Sequence, residues 1–140
     1  MSEGGLRGIV LAHGDMARGM VDAVRAIGGI DEDVLVPMSN RGLSPQSLAE
    51  QVRVLSAGRP TIVFADLPGG SCGFAARLLS RSVPGITVIC GVNLPMLLDY
   101  VTHREMALEP LVERLVTKAK ASIQSVTTPV RTDGDPAVQS

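Results

Sequence analysis

The chain has 140 residues, enough for one domain, and a net charge of −1 with acidic and basic side chains interspersed along it. Apolar residues make up 45% but aromatics only 2%, so the core must be built from Val, Ile, Leu, Met and Ala, and neither base stacking nor a basic footprint supports nucleic-acid binding. No apolar run nears the roughly 20 residues that cross a bilayer, and Met1–Arg7 lacks the apolar segment of a signal peptide, so a cytoplasmic protein without membrane insertion is expected.

Ile9-Val-Leu-Ala12 is a continuous apolar run of the kind that fits a strand covered on both faces, and Gly14 allows a tight turn into a helical pattern. His13 therefore ends the first strand. Met16, Met20, Val21, Val24 and Ile27 follow helical spacing and predict a helix over 15–27, stopped by Gly28-Gly29. Residues 34–37 read as a short second strand. Ser44-Pro45 then supplies a capping side chain and a proline at the first helical position, opening a second helix with Leu48, Val52 and Leu55 inward and Gly58 at its end. Thr61-Ile-Val-Phe-Ala65 is a third buried strand, with Asp66 at its carboxyl end.

Leu67-Pro-Gly-Gly-Ser71 is a glycine-rich turn into a third helix, whose inward face is expected to carry Phe74, Leu78 and Leu79 before Pro84-Gly85 closes it. Ile86–Cys90 is the fourth strand, and Asn93 caps a fourth helix that starts near Pro95 and reaches about Arg104. A fifth helix over 107–121 shows Leu108, Leu111, Val112, Leu115, Val116 and Ala119 at helical spacing, with Pro110 in its first turn. Four strand–helix alternations joined by right-handed crossovers predict an α/β fold: a doubly wound, mostly parallel four-stranded sheet with helices on both faces. Ile123–Val126 is a candidate for one more edge strand. The domain is thus expected to occupy 1–126, and 127–140, polar and turn-rich, to form a flexible tail.

His13 and Asp66 end strands that are often neighbours across the switch point of a doubly wound sheet, where ligands bind. Asp66 is open to two readings. It is either a turn or capping residue, or a carboxylate that holds one imidazole nitrogen and leaves the other as a nucleophile. Gly69, Gly70 and Ser71 have the makings of an anion cradle, backbone amides at a helix amino end with one hydroxyl beside them, though the same residues also suit an ordinary helix cap. Gly69-Gly-Ser71-Cys-Gly73 also matches the G-x-S-x-G elbow of serine hydrolases, with Asp99 and His103 following in hydrolase order. Those two lie four apart on one predicted helix, which makes Ser71 hydrolysis the remote alternative. Cys72 and Cys90 show no metal-ligand spacing and are read as free thiols, Cys90 as a core residue; neither is assigned a metal.

Three blocks together, Ile9-Val-Leu-Ala-His13-Gly, Phe64-Ala-Asp66-Leu-Pro-Gly-Gly-Ser71 and Gly91-Val-Asn-Leu-Pro-Met-Leu97, resemble the mannose-type IIA domain of the bacterial phosphotransferase system over roughly 8–126. The resemblance implies a phosphocarrier that accepts a phosphoryl group on His13 from phosphorylated HPr and passes it to a separate IIB protein for sugar uptake. It implies that Asp66 orients His13, that Ser71 with Gly69 and Gly70 holds the phosphoryl oxygens, and that no metal or organic cofactor takes part. It further implies a homodimer exchanging a terminal antiparallel strand, for which Ile123–Val126 is the segment. This chain departs from the family pattern at Cys72, where many members have proline, and at Phe74, where the sugar transporters commonly have asparagine. A dihydroxyacetone-kinase-type phosphocarrier and a module that reports its phosphorylation state to a regulatory partner are the alternatives. Arg41 is a candidate loop residue near the phosphate.

Overall fold

A computed structural model describes residues 5–130. The chain alternates strictly through β1 (Arg7–Ala12), α1 (Met16–Gly28), β2 (Leu35–Ser39), α2 (Pro45–Ser56), β3 (Thr61–Ala65), α3 (Gly70–Ser82), β4 (Ile86–Cys90), α4 (Leu94–Thr102) and α5 (Leu108–Ala121). The four strands form one parallel sheet in the order β2-β1-β3-β4. Ile9 stands opposite Val36 on one side and Val63 on the other, and Val63 stands opposite Val88. β1 and β3 are central and lie under helices on both faces, which is why their sequences run apolar without alternation.

The two-residue period of the strands divides the core. Val10, Ala12, Ile62 and Phe64 pack with residues of α1, α4 and α5, whereas Ile9, Leu11, Val63 and Ala65 pack with α2 and α3. The chain moves from β1 to β2 on one side, then returns over β1 to β3 and β4 on the other. Right-handed crossovers require the helices to change face when the direction reverses, so the reversal lies between β1 and β3. At that point the loops leaving the two strands separate and open a crevice.

Capping follows local chemistry. Ser44 Oγ accepts the Ser47 N–H at 3.1 Å, and Asn93 Oδ1 accepts the Met96 N–H at 3.1 Å while its Nδ2 donates to the Ala119 carbonyl at 3.1 Å, tying α4 to α5. Two of the three aromatics meet in the core, with Phe64 and Tyr100 edge to face at 5.2 Å between ring centres. The buried Tyr100 hydroxyl donates to the Val34 carbonyl at 2.8 Å. Such a ring pair contributes about 0.5–1.5 kcal/mol beyond the area it buries. Gly8 makes room for it: a Cβ there would stand 2.9 Å from both Leu35 and Tyr100 side chains. Gly8→Ala is therefore expected to destabilise the domain by about 1–3 kcal/mol, read as a lower denaturation midpoint in urea with an unchanged slope.

Three expectations change. In α3 the inward stripe is Cys72, Ala75, Ala76 and Leu79, while Phe74 is 49% exposed and Leu78 half-buried. Small side chains at helical spacing let this helix approach the sheet closely, and a phenylalanine does not fit beneath it. In α1 the buried stripe is Ala17, Val21 and Val24, so Met16 and Ile27 face outward. Ile123–Val126 forms no strand in the single chain; residues 123–130 carry no helix or strand, and Ile123 and Val126 are exposed. The sheet of the described residues is therefore parallel throughout, with one edge of β4 unpaired. Most of the expected tail, from 131 on, lies outside the described residues, as do the first four positions of the expected domain.

Candidate functional site

The carboxyl ends of β1 and β3 bring His13 and Asp66 together across 53 positions of sequence. The Asp66 N–H donates to the Leu11 carbonyl at 3.1 Å, extending the β1–β3 pairing by one residue and aiming the side chain across the crevice. Asp66 Oδ2 accepts the His13 backbone N–H at 2.9 Å and lies 2.7 Å from His13 Nδ1. An ionised carboxylate only accepts, so Nδ1 carries the proton and the neutral ring keeps its lone pair on Nε2. The Asp66 side chain is 5% exposed and that of His13 is 40% exposed, which leaves the carboxylate buried and part of the imidazole open. Asp66 Oδ1 is buried without a hydrogen-bond partner.

Nε2 faces the amino end of α3. A Cβ at Gly70 would come within 3.3 Å of His13 Nε2 and Cε1, and Gly70 has φ 72°, so glycine both permits the turn and keeps the imidazole edge uncovered. Gly69 occupies the N-cap and no side chain caps the helix, which leaves first-turn amides of α3 free for an anion. Gly69, Gly70 and Ser71 therefore converge with His13 and Asp66. The attraction of the helix end is worth about 0.3–1 kcal/mol, so directed hydrogen bonds must do most of the holding.

Asn40, the first residue after β2, is a member of this site that sequence reading missed. Its Oδ1 accepts the Gly14 N–H at 3.2 Å and its Nδ2 donates to Ser71 Oγ at 3.0 Å. The signal available was position, since the loop after β2 leaves the same sheet edge as the loops carrying His13 and Asp66. Arg41 stands beside this loop, with one guanidinium nitrogen 3.6 Å from where a Gly14 Cβ would be, and pairs with Asp15 at 2.9 Å. Both partners are exposed, so that ion pair contributes little to stability.

Cys72 lies beneath the site, fully buried, and offers a sulfur within 4.8 Å of ligand-type atoms of His13 and Asp66. The tertiary fold thus assembles a trio of metal-capable side chains that no local spacing announces. Burial, with the Asp66 charge as a smaller cause, pushes the Cys72 thiol up from 9.0 to about 11. The sulfur keeps its proton at neutral pH, and Asp66 Oδ2 is engaged with the His13 backbone N–H and ring. Two pH units mean about 100-fold less thiolate, so native Cys90→Ser protein at pH 8 is expected to react with iodoacetamide at least about 100-fold more slowly than the same protein in denaturing urea.

The hydrolase arrangement does not form. α4 runs back from the site edge, so Asp99 and His103 lie at the opposite edge of the sheet, where neighbouring Tyr100 and Arg104 bond carbonyls of Val34 and Leu6. Asp99 is committed to Arg114 at 2.9 Å and to His103 at 3.2 Å. Ser71 instead pairs with Asn40.

Residues 8–116 match the family EIIA-man, described as the PTS system fructose IIA component. Among solved structures, the chain is similar to the phosphotransferase system component EIIA from Streptococcus agalactiae, at 25% identity and a TM-score of 0.79 over 86% of this chain and 96% of that one. It is also similar to the mannose/sorbose-specific IIA subunit of the phosphotransferase system from Enterococcus faecalis, at 26% identity and a TM-score of 0.74 over 91% and 99% of the two chains. No curated protein sequence matches it. Among the described residues no helix is long and apolar enough to cross a membrane.

Proposed function

Because the chain belongs to the mannose/fructose IIA family of the phosphotransferase system, we propose that it carries a phosphoryl group on Nε2 of His13, taken from phospho-HPr and given to a separate IIB protein. The observation that carries this reading is the ring held at Nδ1 by Asp66 with Nε2 turned toward the uncapped end of α3. The Nε2 lone pair attacks phosphorus in line, a new N–P bond forms, and the N–P bond to the donor imidazole breaks with its electron pair leaving on that ring. Nδ1 keeps its proton throughout. The ring becomes cationic as the bond forms, and the buried Asp66 carboxylate stabilises that charge. Ser71 and the backbone of Gly69 and Gly70 hold the phosphoryl oxygens. Transfer to a cysteine or histidine of IIB is the same displacement with the roles exchanged.

No metal or organic cofactor enters these steps. The names of the similar structures favour a sugar-system partner over a dihydroxyacetone-kinase subunit. A second copy of the chain fits the unpaired edge of β4, bordered by a groove that Thr87, Leu108, Val112 and Val116 line, with exposed Ile123 and Val126 as the exchanged segment. The deciding experiment incubates the protein with phospho-HPr and maps the product. One acid-labile, base-stable phosphate on the peptide containing His13 is expected, and an unlabelled chain or a label elsewhere defeats the reading.

A further inference from the structure

Asn40 spans the crevice between the loops that carry the site. Its own backbone is pinned, with the N–H donating to the Ala12 carbonyl at 3.2 Å and the carbonyl accepting the Leu43 N–H at 3.2 Å. The orientation of its amide follows from its partners. A backbone N–H can only donate, so the oxygen must face Gly14 and the NH2 group must face Ser71. Ser71 Oγ is then an acceptor toward Asn40. A hydroxyl has one hydrogen, which Asn40 does not use; its side-chain partner is the Cys72 sulfur, a weak acceptor from which it can turn to a phosphoryl oxygen.

We infer that Asn40 is a positioning residue for phosphoryl transfer, acting through Ser71 by occupying the serine oxygen so that the hydroxyl proton is presented to the phosphoryl oxygens on His13. The inference rests on the phosphocarrier reading and adds a residue to it. Asparagine is required for its polarity as much as its reach. An aspartate at this position still accepts the Gly14 N–H, but its second oxygen takes the Ser71 proton away from the phosphate and adds a negative charge beside it. Alanine removes the contact without adding charge.

The test measures transfer from phospho-HPr in wild type, Asn40→Ala, Asn40→Asp, Ser71→Ala and the Asn40→Ala/Ser71→Ala double variant, with kcat and KM for the donor and a thermal midpoint for each. Asn40→Ala is expected to lower kcat about tenfold with KM within about threefold, and Asn40→Asp to lower kcat about 100-fold. In the Ser71→Ala background the same alanine change is expected to cost less than about twofold, because the group it acts through is gone. Should Asn40→Asp fail to fold, Asn40→Ala and the double variant carry the test. An undiminished loss in the Ser71→Ala background, a loss confined to KM, or a folded Asn40→Asp as fast as wild type overturns the inference. A wild-type chain that takes no phosphate overturns this inference and the carrier reading together; a phosphorylated wild type with unaffected Asn40 variants overturns this inference alone.

Discussion

His13→Ala is expected to abolish phosphoryl acceptance, with a drop of about 10,000-fold or more, to background. The size follows from the lack of a substitute nucleophile at the site. Cys72 is nearby but holds its proton up to about pH 11 and is fully buried, and Ser71 has no base positioned to activate it, since its partner is the Asn40 amide donor. Removing the imidazole should leave the fold in place, because its side chain is 40% exposed and the strand that carries it is held by pairing on both sides. The measurement is radiolabel incorporation from phospho-HPr, beside a thermal midpoint within a few degrees of wild type. A folded His13→Ala protein that still takes up acid-labile phosphate would require a different carrier residue.

The second large effect is expected from Asp66. Asp66→Asn should slow transfer by about 100-fold or more while changing the affinity for HPr by less than about threefold. The amide preserves size and still offers an oxygen to the ring or the backbone, so positioning is partly retained; what disappears is the negative charge against which the ring becomes cationic. With the carboxylate 95% covered by protein, that charge acts through a medium that screens it poorly, which is why its loss outweighs that of a surface pair. Asp66→Ala adds an unpaired His13 backbone N–H at the strand end and should cost stability as well as rate. Stopped-flow transfer and direct binding to unphosphorylated HPr separate the two quantities. Equal losses in rate and binding would assign Asp66 to docking rather than to orientation.

The positions of Asp66 and His13 and their pairing were legible at different levels. Each residue could be placed at the carboxyl end of a strand from the apolar runs Ile9–Ala12 and Thr61–Ala65, because a strand buried on both faces leaves a local pattern. That the two strands are adjacent is not local information: 53 positions separate the residues, and their meeting depends on the crossover that carries β3 back past β1. The family resemblance anticipated the pairing; the residues alone left Asp66 open between cap and partner. Asn40 escaped because β2 extends to Ser39, two residues beyond the expected strand, so the position that follows the strand's end was not singled out. Phe74 misled for the opposite reason. Its hydrophobicity argued for the core, whereas the closeness of α3 to the sheet is set by Cys72, Ala75 and Ala76 around it.

The amino-acid sequence by itself determined the alternating α/β architecture, the buried central strands, the Ser44 and Asn93 caps and the placement of His13 and Asp66 at strand ends, because backbone preference, hydrophobic period and turn residues act over a few positions. Only the tertiary structure decided that Asp66 holds Nδ1 rather than caps a turn, that Gly70 keeps Nε2 open, that Asn40 reaches Ser71, and that Asp99 and His103 stand at the far edge from Ser71. Those relations arise from the order of strands and the faces their helices cover, which emerge when distant segments share one core.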